Sequence, residues 1–228
     1  ADAALRVDPM YLDWSTYFYG SITNNSTWIY DTEVDKNDNV YLTGYTYDKF
    51  PGKAGIFDTT LNGNADAFLC RMPLSGNTID YFTYIGGQNT EYGYGLGGTE
   101  DGRIFITGIT QSRDFPTTTG VLEPSYTGTS YAGFITGVNS DGTSLIYSTY
   151  VGTSGLGSWS YAIDVNERGE VFIAPYSYGT FSVTHPLLPA GFVTNNPDCY
   201  VIKYNDKGSK IIQSTRFGGD GFEYTTSI

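Results

Sequence analysis

The chain has little of what builds a catalytic or metal centre. It contains one histidine, His185, and two cysteines, Cys70 and Cys199. A nucleophilic triad or a zinc site needs several convergent partners, and one histidine in a loop beside prolines provides neither. The cysteines also lack the CxxC spacing of metal and redox motifs. We therefore expect no catalytic residue, no metal site and no cofactor.

Basic residues and long apolar runs are scarce as well. Twelve Lys and Arg stand against 24 Asp and Glu, which gives a net charge of −12. This charge repels a phosphate backbone and an anionic membrane surface, so we expect no nucleic-acid partner. No apolar run approaches the roughly 20 residues of a membrane helix, so direct membrane insertion is not expected either. The acidity agrees with solubility outside the cell.

Helical periodicity is absent, whereas turn and strand formers are abundant. The chain has 29 glycines and 21 tyrosines, and 39% of its residues are apolar. Glycine is typical of turns and tyrosine of strands. The composition therefore predicts an all-β protein with enough apolar residues for a core.

A repeat of about 66 residues runs through the sequence. Four related segments carry threonines at spacings of 67, 66 and 66: Trp14-Ser-Thr-Tyr-Phe-Tyr-Gly20, Tyr81-Phe-Thr-Tyr-Ile-Gly-Gly87, Tyr147-Ser-Thr-Tyr-Val-Gly152 and Gln213-Ser-Thr-Arg-Phe-Gly-Gly219. Polar turns between strand-like runs recur in phase with them, as in Asp35-Lys-Asn-Asp-Asn39 and Glu100-Asp-Gly102. Each repeat therefore predicts four antiparallel strands, which in the first repeat lie near 28–34, 40–46, 66–72 and 80–86.

Four-stranded units in tandem are typical of β-propeller blades. We predict the third and fourth strands of a preceding or closing blade in 1–19, full blades in 20–86, 87–152 and 153–219, and the start of a further blade in 220–228. Closed propellers have about four to eight blades, so the parent protein is expected to continue beyond Ile228. Cys70 and Cys199 fall in non-adjacent blades, too far apart for a disulfide, whose Cα atoms lie within about 7 Å.

Several motifs in combination resemble the SBBP-type β-propeller repeat of bacterial surface proteins. They are Tyr147-Ser-Thr-Tyr-Val-Gly152, Tyr92-Gly-Tyr-Gly95, Ile106-Thr-Gly-Ile-Thr110, Asp114-Phe-Pro-Thr-Thr118 and Asp66-Ala-Phe68. The third repeat departs from this pattern, with Pro175 in place of a glycine and Phe181-Ser-Val-Thr184 in place of the Asp-Phe-Pro motif. The resemblance implies a secreted or cell-surface protein, similar to the cargo of Bacteroidetes type IX secretion, with the export machinery as a partner. It implies no defined reaction or ligand.

The predicted strand directions place the long loops on one face of the blades. These connections include residues 47–65, 111–130 and 178–197, and long loops often carry function. The alternative is that they cover strand edges. Trp28, Tyr92 and Trp159 fall at equivalent positions near the start of each first strand. They are our ligand-binding candidates for sugar stacking, and packing between blades is the structural alternative.

Two further features have a structural and a functional interpretation. Asp35-Lys-Asn-Asp-Asn39 is rich in oxygen ligands, but the equivalent turns are not, so a hairpin turn is favoured over a calcium loop. Asp58-Thr-Thr60 matches the short Asp-Ser/Thr-x pattern that the resemblance associates with O-glycosylation of exported proteins. Thr59 is therefore a glycosylation candidate.

These observations favour a non-catalytic propeller that acts as a scaffold or binding module of a surface protein, with adhesion to a glycan or a cell-surface protein as its role. One alternative is an extracellular carbohydrate-active enzyme, a hydrolase or lyase, with its site on the long-loop face. In that case, a pair of carboxylates from different blades would carry the chemistry. Another alternative is a structural spacer within a surface array.

Overall fold

The computed structural model describes residues 15, 17, 18, 20, 21, 26–51, 53, 55–152, 157–185, 197–219, 223 and 225–228. Within them the chain forms twelve strands and no helix. The strands predicted before residue 20 lie outside this description except at three positions. The segment 220–228 is described at residue 223 and at 225–228, where no strand is formed.

The twelve strands form three separate four-stranded antiparallel sheets, each in sequence order. The first sheet contains β1 (Thr27–Val34), β2 (Asn39–Thr46), β3 (Asp66–Pro73) and β4 (Tyr81–Ile85). The second contains β5 (Glu91–Gly98), β6 (Ile104–Thr110), β7 (Ala132–Val138) and β8 (Leu145–Val151). The third contains β9 (Ser158–Val165), β10 (Val171–Ser177), β11 (Asp198–Tyr204) and β12 (Ile211–Phe217). The prediction of four antiparallel strands in each of three repeats is confirmed.

The first hairpin of each sheet turns on a residue with positive φ. Asp38 has φ 60°, and the glycines at the equivalent turns, Gly102 and Gly169, have φ 85° and 78°. This left-handed conformation favours glycine, or a short polar residue such as Asp. The repeated turn chemistry therefore sets the spacing between the first and second strands.

The sheets pack face to face through their first strands. Strand β5 lies against β1, β2 and β3 of the first sheet, and β9 lies against β5, β6 and β7 of the second. One apolar core joins the first two sheets through side chains such as Tyr41 and Ile106, and another joins the second and third through Phe105 and Ile202. At this second junction the buried Thr107 hydroxyl donates to Ser160 Oγ at 2.7 Å.

The cysteines are buried in different sheets. Cys70 belongs to a core cluster of the first sheet, Cys199 lies in β11 of the third, and both are free thiols. Burial raises the pKa of both thiols, that of Cys199 to about 11.

The long second loop of each sheet lies along the outer edge of the fourth strand. In the second sheet the Thr118 N–H donates to Ser148 O at 3.0 Å, and the Tyr150 N–H donates to Glu123 O at 3.1 Å. The first sheet has an equivalent bond from Tyr84 N–H to Asp58 O at 3.0 Å. Part of each loop thus bonds backbone groups of an edge strand, as expected if these loops cover strand edges.

The tyrosine of the repeated Ser-Thr-Tyr motif fixes the start of the same loop. Tyr150 Oη donates to Ser112 O at 2.8 Å and accepts from the Phe115 N–H at 3.2 Å. Tyr84 makes the same two bonds in the first sheet, with Asp48 O and the Phe50 N–H. The third sheet has Arg216 at this position, where it forms an ion pair with Asp198 instead.

We predict that Tyr150→Phe lowers the free energy of unfolding by about 1–3 kcal/mol, because it leaves a buried N–H and a buried carbonyl without their shared partner. Tyr178→Phe is the control, since that tyrosine is exposed and its hydroxyl makes no hydrogen bond with a described residue. Urea denaturation of both variants measures the difference. Equal stability of the two variants would contradict this role of Tyr150.

In the first two sheets the backbone of the first strand approaches the second strand so closely that the facing residue of the second strand has no room for a side chain. A Cβ atom at Gly108 would lie 1.9 Å from Tyr92 O, and one at Gly44 of the first sheet would lie 1.8 Å from Trp28 O. The pairing of β5 with β6 shifts register here, between Gly93 and Gly95. In the third sheet Pro175 takes this position, beside a register shift between Ile173 and Pro175.

Gly108→Ala should therefore destabilise the protein by about 1–3 kcal/mol through overpacking. Gly219→Ala is a suitable control, because the nearest atom to its added Cβ, Glu223 Oε1, lies at an ordinary 3.4 Å. Thermal unfolding followed by circular dichroism compares the two variants. If Gly108→Ala melted with the wild type, the tight bulge would not exist in solution.

Candidate functional site

The three predicted ligand-binding residues lie at the second positions of β1, β5 and β9. Trp28 is 44% exposed, while Tyr92 and Trp159 are half-buried. Trp28 stacks on Tyr45 with ring centroids 5.2 Å apart, and Trp159 stacks on Tyr176 at 5.0 Å. Both tryptophans thus rest on an aromatic residue of the neighbouring strand in their own sheet, whereas Tyr92 lies against Tyr45 of the first sheet, with ring centroids 4.2 Å apart. Each of the three rings keeps part of its surface open.

A second set of tyrosines, which the sequence analysis did not select, connects the three sheets. Tyr30, Tyr94 and Tyr161 lie two residues beyond the predicted set in the same strands. The ring centroids of Tyr30 and Tyr94 are 4.9 Å apart, and those of Tyr94 and Tyr161 are 4.7 Å apart. We call the two sets together the aromatic surface: Trp28, Tyr30, Tyr92, Tyr94, Trp159 and Tyr161.

A signal for the second set was present in the sequence. Trp28-Ile-Tyr30, Tyr92-Gly-Tyr94 and Trp159-Ser-Tyr161 share an aromatic-x-aromatic spacing. Residues two apart in a strand point to the same side. The second set borders an open pocket of about 480 Å³ that is also lined by Thr225 and Thr226.

Carboxylates lie near the other ends of β1 and β9. Burial raises the pKa of Glu33 in β1, and the nearby charges of Asp31 and Asp164 raise it further. Strands β1, β5 and β9 contain no Lys or Arg. The three strands therefore present aromatic rings, and β1 and β9 add negative charge, which disfavours an anionic ligand.

The structure brings together a carboxylate pair from adjacent repeats, Asp66 and Glu91. Both side chains are fully buried. Asp66 accepts hydrogen bonds from the Asn62 N–H at 2.8 Å and the Gly63 N–H at 3.1 Å. Glu91 accepts from the Gly87 N–H at 2.9 Å and from a threonine hydroxyl of β6. These hydrogen bonds and the complete burial indicate that the pair has a structural role where the first two sheets meet.

The remaining residues considered for a catalytic or metal site lie far from one another in the chain and in different turns and loops. His185 is exposed and contacts its neighbour Thr184 through Nδ1. The Asp35 carboxylate accepts bonds from the Asn37 and Asn39 N–H groups and from the Asn39 side chain, as in a closed hairpin turn. Among the described residues no group of three His, Cys, Asp or Glu side chains is arranged to hold a metal ion.

Thr59 is exposed within the loop of residues 47–65. The preceding Asp58 accepts hydrogen bonds from the Thr60 N–H and the Asn62 side chain, both at 2.8 Å. The exposure of Thr59 leaves room for a glycan, and its modification stays a prediction that intact-mass measurement of the native protein can test.

Neither the protein-family models nor the curated proteins compared with the chain match it. The similarity to SBBP-type repeats thus rests on the sequence motifs alone. In the described part of the chain, no helix combines the length and the apolar character needed to cross a membrane.

The buried carboxylate pair predicts a pH-dependent stability. Burial, and secondarily the charge of Glu91, raises the pKa of Asp66 to about 7, above the roughly 3.9 of an unfolded chain. A raised pKa means that the folded state binds the proton more tightly than the unfolded chain does. The contribution of Asp66 to the free energy of unfolding is therefore greatest below about pH 4 and falls as the pH rises towards 7. We expect a loss on the order of 1–4 kcal/mol over this range.

Urea denaturation at pH 5.5 and pH 8 measures the part of this loss that falls above pH 5.5, and Asp66→Asn is the informative variant. The amide does not ionise, so the decline towards pH 8 should become smaller in that variant. Stability that increases from pH 5.5 to pH 8 in the wild type would contradict the assignment.

Proposed function

We propose that the chain is a non-catalytic β-propeller module of an exported bacterial surface protein, and that it binds an extracellular glycan. The observation that carries the binding proposal is the aromatic surface, which joins equivalent positions of three sheets through continuous ring contacts. Sugar rings present C–H faces that stack on such aromatic faces, at a low cost in side-chain entropy.

The arrangement of the sheets supports the propeller architecture. Each repeat is one four-stranded antiparallel sheet, and the first strand of each sheet lies against the sheet before it. This is the geometry expected where blades surround an axis and the first strand of each blade is innermost. In that architecture the aromatic surface lines the axis and its mouth.

Binding without turnover is favoured over glycoside hydrolysis by the placement of the carboxylates. Hydrolysis uses two carboxyl groups that flank the substrate. One pair that the structure brings together, Asp66 and Glu91, is fully buried and hydrogen-bonded within the protein. The exposed Glu33 and Asp164, of the first and third sheets, are the carboxylates that the enzyme alternative would require. A turnover assay on polysaccharides separates the two functions, and product release would favour the enzyme.

We predict that Trp28→Ala weakens glycan binding by about tenfold, the equivalent of one lost stacking contact of about 1.4 kcal/mol. Because Trp28 is 44% exposed, the melting temperature of the Trp28→Ala variant should stay close to that of the wild type. Phe217→Ala is the matched control, because this ring is 43% exposed on the outer strand of the third sheet.

A glycan array identifies the ligand, and isothermal calorimetry then compares the variants. The spacer alternative predicts that the array shows no binding. An early melting transition of Trp28→Ala with unchanged affinity would assign this ring to packing instead.

A further inference from the structure

A polar pocket lies on the long-loop face of the second sheet, beside the aromatic surface. It has a volume of about 540 Å³ and opens to solvent between the loop that precedes β5 and the loop that follows β6. Its lining is formed by Gln88, Asn89, Gln111, Arg113, Asp114, Gly128 and Thr129. All of these except Gly128 are exposed.

Hydrogen bonds between the two loops hold the walls of this pocket in place. The Gln88 N–H donates to Asp114 Oδ1 at 3.1 Å, and the Asn89 N–H donates to Ser112 Oγ at 2.8 Å. Within the loop that follows β6, the Arg113 guanidinium donates to Gly128 O at 3.1 Å. The backbone geometry is therefore set before any ligand arrives, which lowers the entropy lost on binding.

The functional groups that face the pocket retain unused hydrogen-bonding capacity. The side-chain amides of Gln88, Asn89 and Gln111 make no hydrogen bond with any described residue, and Asp114 Oδ2 makes none either. An amide both donates and accepts, and a carboxylate accepts. Adjacent hydroxyl groups of a sugar also donate and accept, so they match this set.

The pocket departs from the repeat in a way that packing does not require. The residue directly after the second strand is Tyr47 in the first sheet and Tyr178 in the third, but Gln111 in the second. In the second sheet the Gln111 N–H still bonds Thr90 O at 3.0 Å, so the backbone is held without the ring. The exchange of a tyrosine for an exposed amide adds polar capacity at one sheet only.

The charges around the pocket select an uncharged ligand. Arg113 and Asp114 lie side by side with opposite charges, and the chain as a whole carries −12. A polyanionic glycan would be repelled by this net charge. The pocket is also close to the aromatic surface. Thr129 of its lining lies two residues before Tyr131, whose ring centroid is 6.4 Å from that of Trp159.

We propose that this pocket binds one hexose unit of a neutral oligosaccharide through adjacent hydroxyl groups, while the next units stack on the aromatic surface. The proposal rests on the glycan binding proposed above and names its ligand class and a polar subsite. The amides and Asp114 recognise the hydroxyl pattern, and the rings provide the apolar contact.

The test is an NMR titration of the full chain with cellohexaose, laminarihexaose, mannohexaose and maltohexaose, and with oligogalacturonate as the charged comparison. With at least one neutral hexaose, we expect shifts of the side-chain NH₂ signals of Gln88, Asn89 and Gln111, together with the indole N–H of Trp28 or Trp159. The NH₂ signal of Gln213, an exposed amide on β12, is the internal control and should not move.

The double variant Asn89→Ala/Gln111→Ala should weaken the affinity for the same sugar at least tenfold. Its melting temperature should stay unchanged, because neither side chain bonds another described residue. Gln213→Ala is the matched control and should bind as the wild type does.

Three results would overturn the proposal. If a hexaose shifts the indole signals alone and the double variant binds normally, the polar subsite is wrong while glycan binding stands. If oligogalacturonate binds more tightly than every neutral hexaose, the neutral ligand class is wrong. If no sugar in the titration shifts either set of signals, the subsite and the proposed glycan binding both fail.

Discussion

The packing of a first strand against the face of the preceding sheet positions the apolar cores, the long loops and the aromatic surface. No sheet covers its own two faces, so each must bury one of them against a neighbour. Strands β5 and β9 do this by lying across three strands of the preceding sheet. The approach is close enough that a Cβ at Gly93 would lie 2.6 Å from Thr43 Oγ1. Small residues in the first strands therefore accompany the packing of the sheets.

This packing also creates the aromatic surface. Tyr45 of the first sheet lies 4.2 Å from Tyr92 of the second, and Tyr94 of the second lies 4.7 Å from Tyr161 of the third, measured between ring centroids. Rings that would be separate exposed residues in isolated sheets thereby support one another. Their mutual contacts limit the motion of each ring, and a surface of this kind is preorganised for a flat apolar ligand face.

The long loops combine a structural and a recognition role along their length. Their middle portions bond the fourth strand, and the motif tyrosines Tyr84 and Tyr150 hold their first residues. In the second sheet the same anchored loop supplies Arg113, Asp114 and Thr129 to the polar pocket. The edge of the sheet is thus covered by the segment that also shapes the neighbouring recognition surface, so binding residues sit on a loop whose backbone is fixed.

Interactions between residues close in the chain set the local part of this architecture. The recurring Ser-Thr-Tyr segments and the turns at Asp38, Gly102 and Gly169 depend on residues close in the chain, so strand number, order and direction could be predicted from them. Trp28, Tyr92 and Trp159 were found by their equivalent repeat positions. The buried pair Asp66 and Glu91, the ring contacts between sheets and the polar pocket were decided only by the tertiary structure. Each of these joins residues of different strands, loops or repeats, and their distances follow from how the sheets stack and the loops dock, which a repeat pattern does not encode.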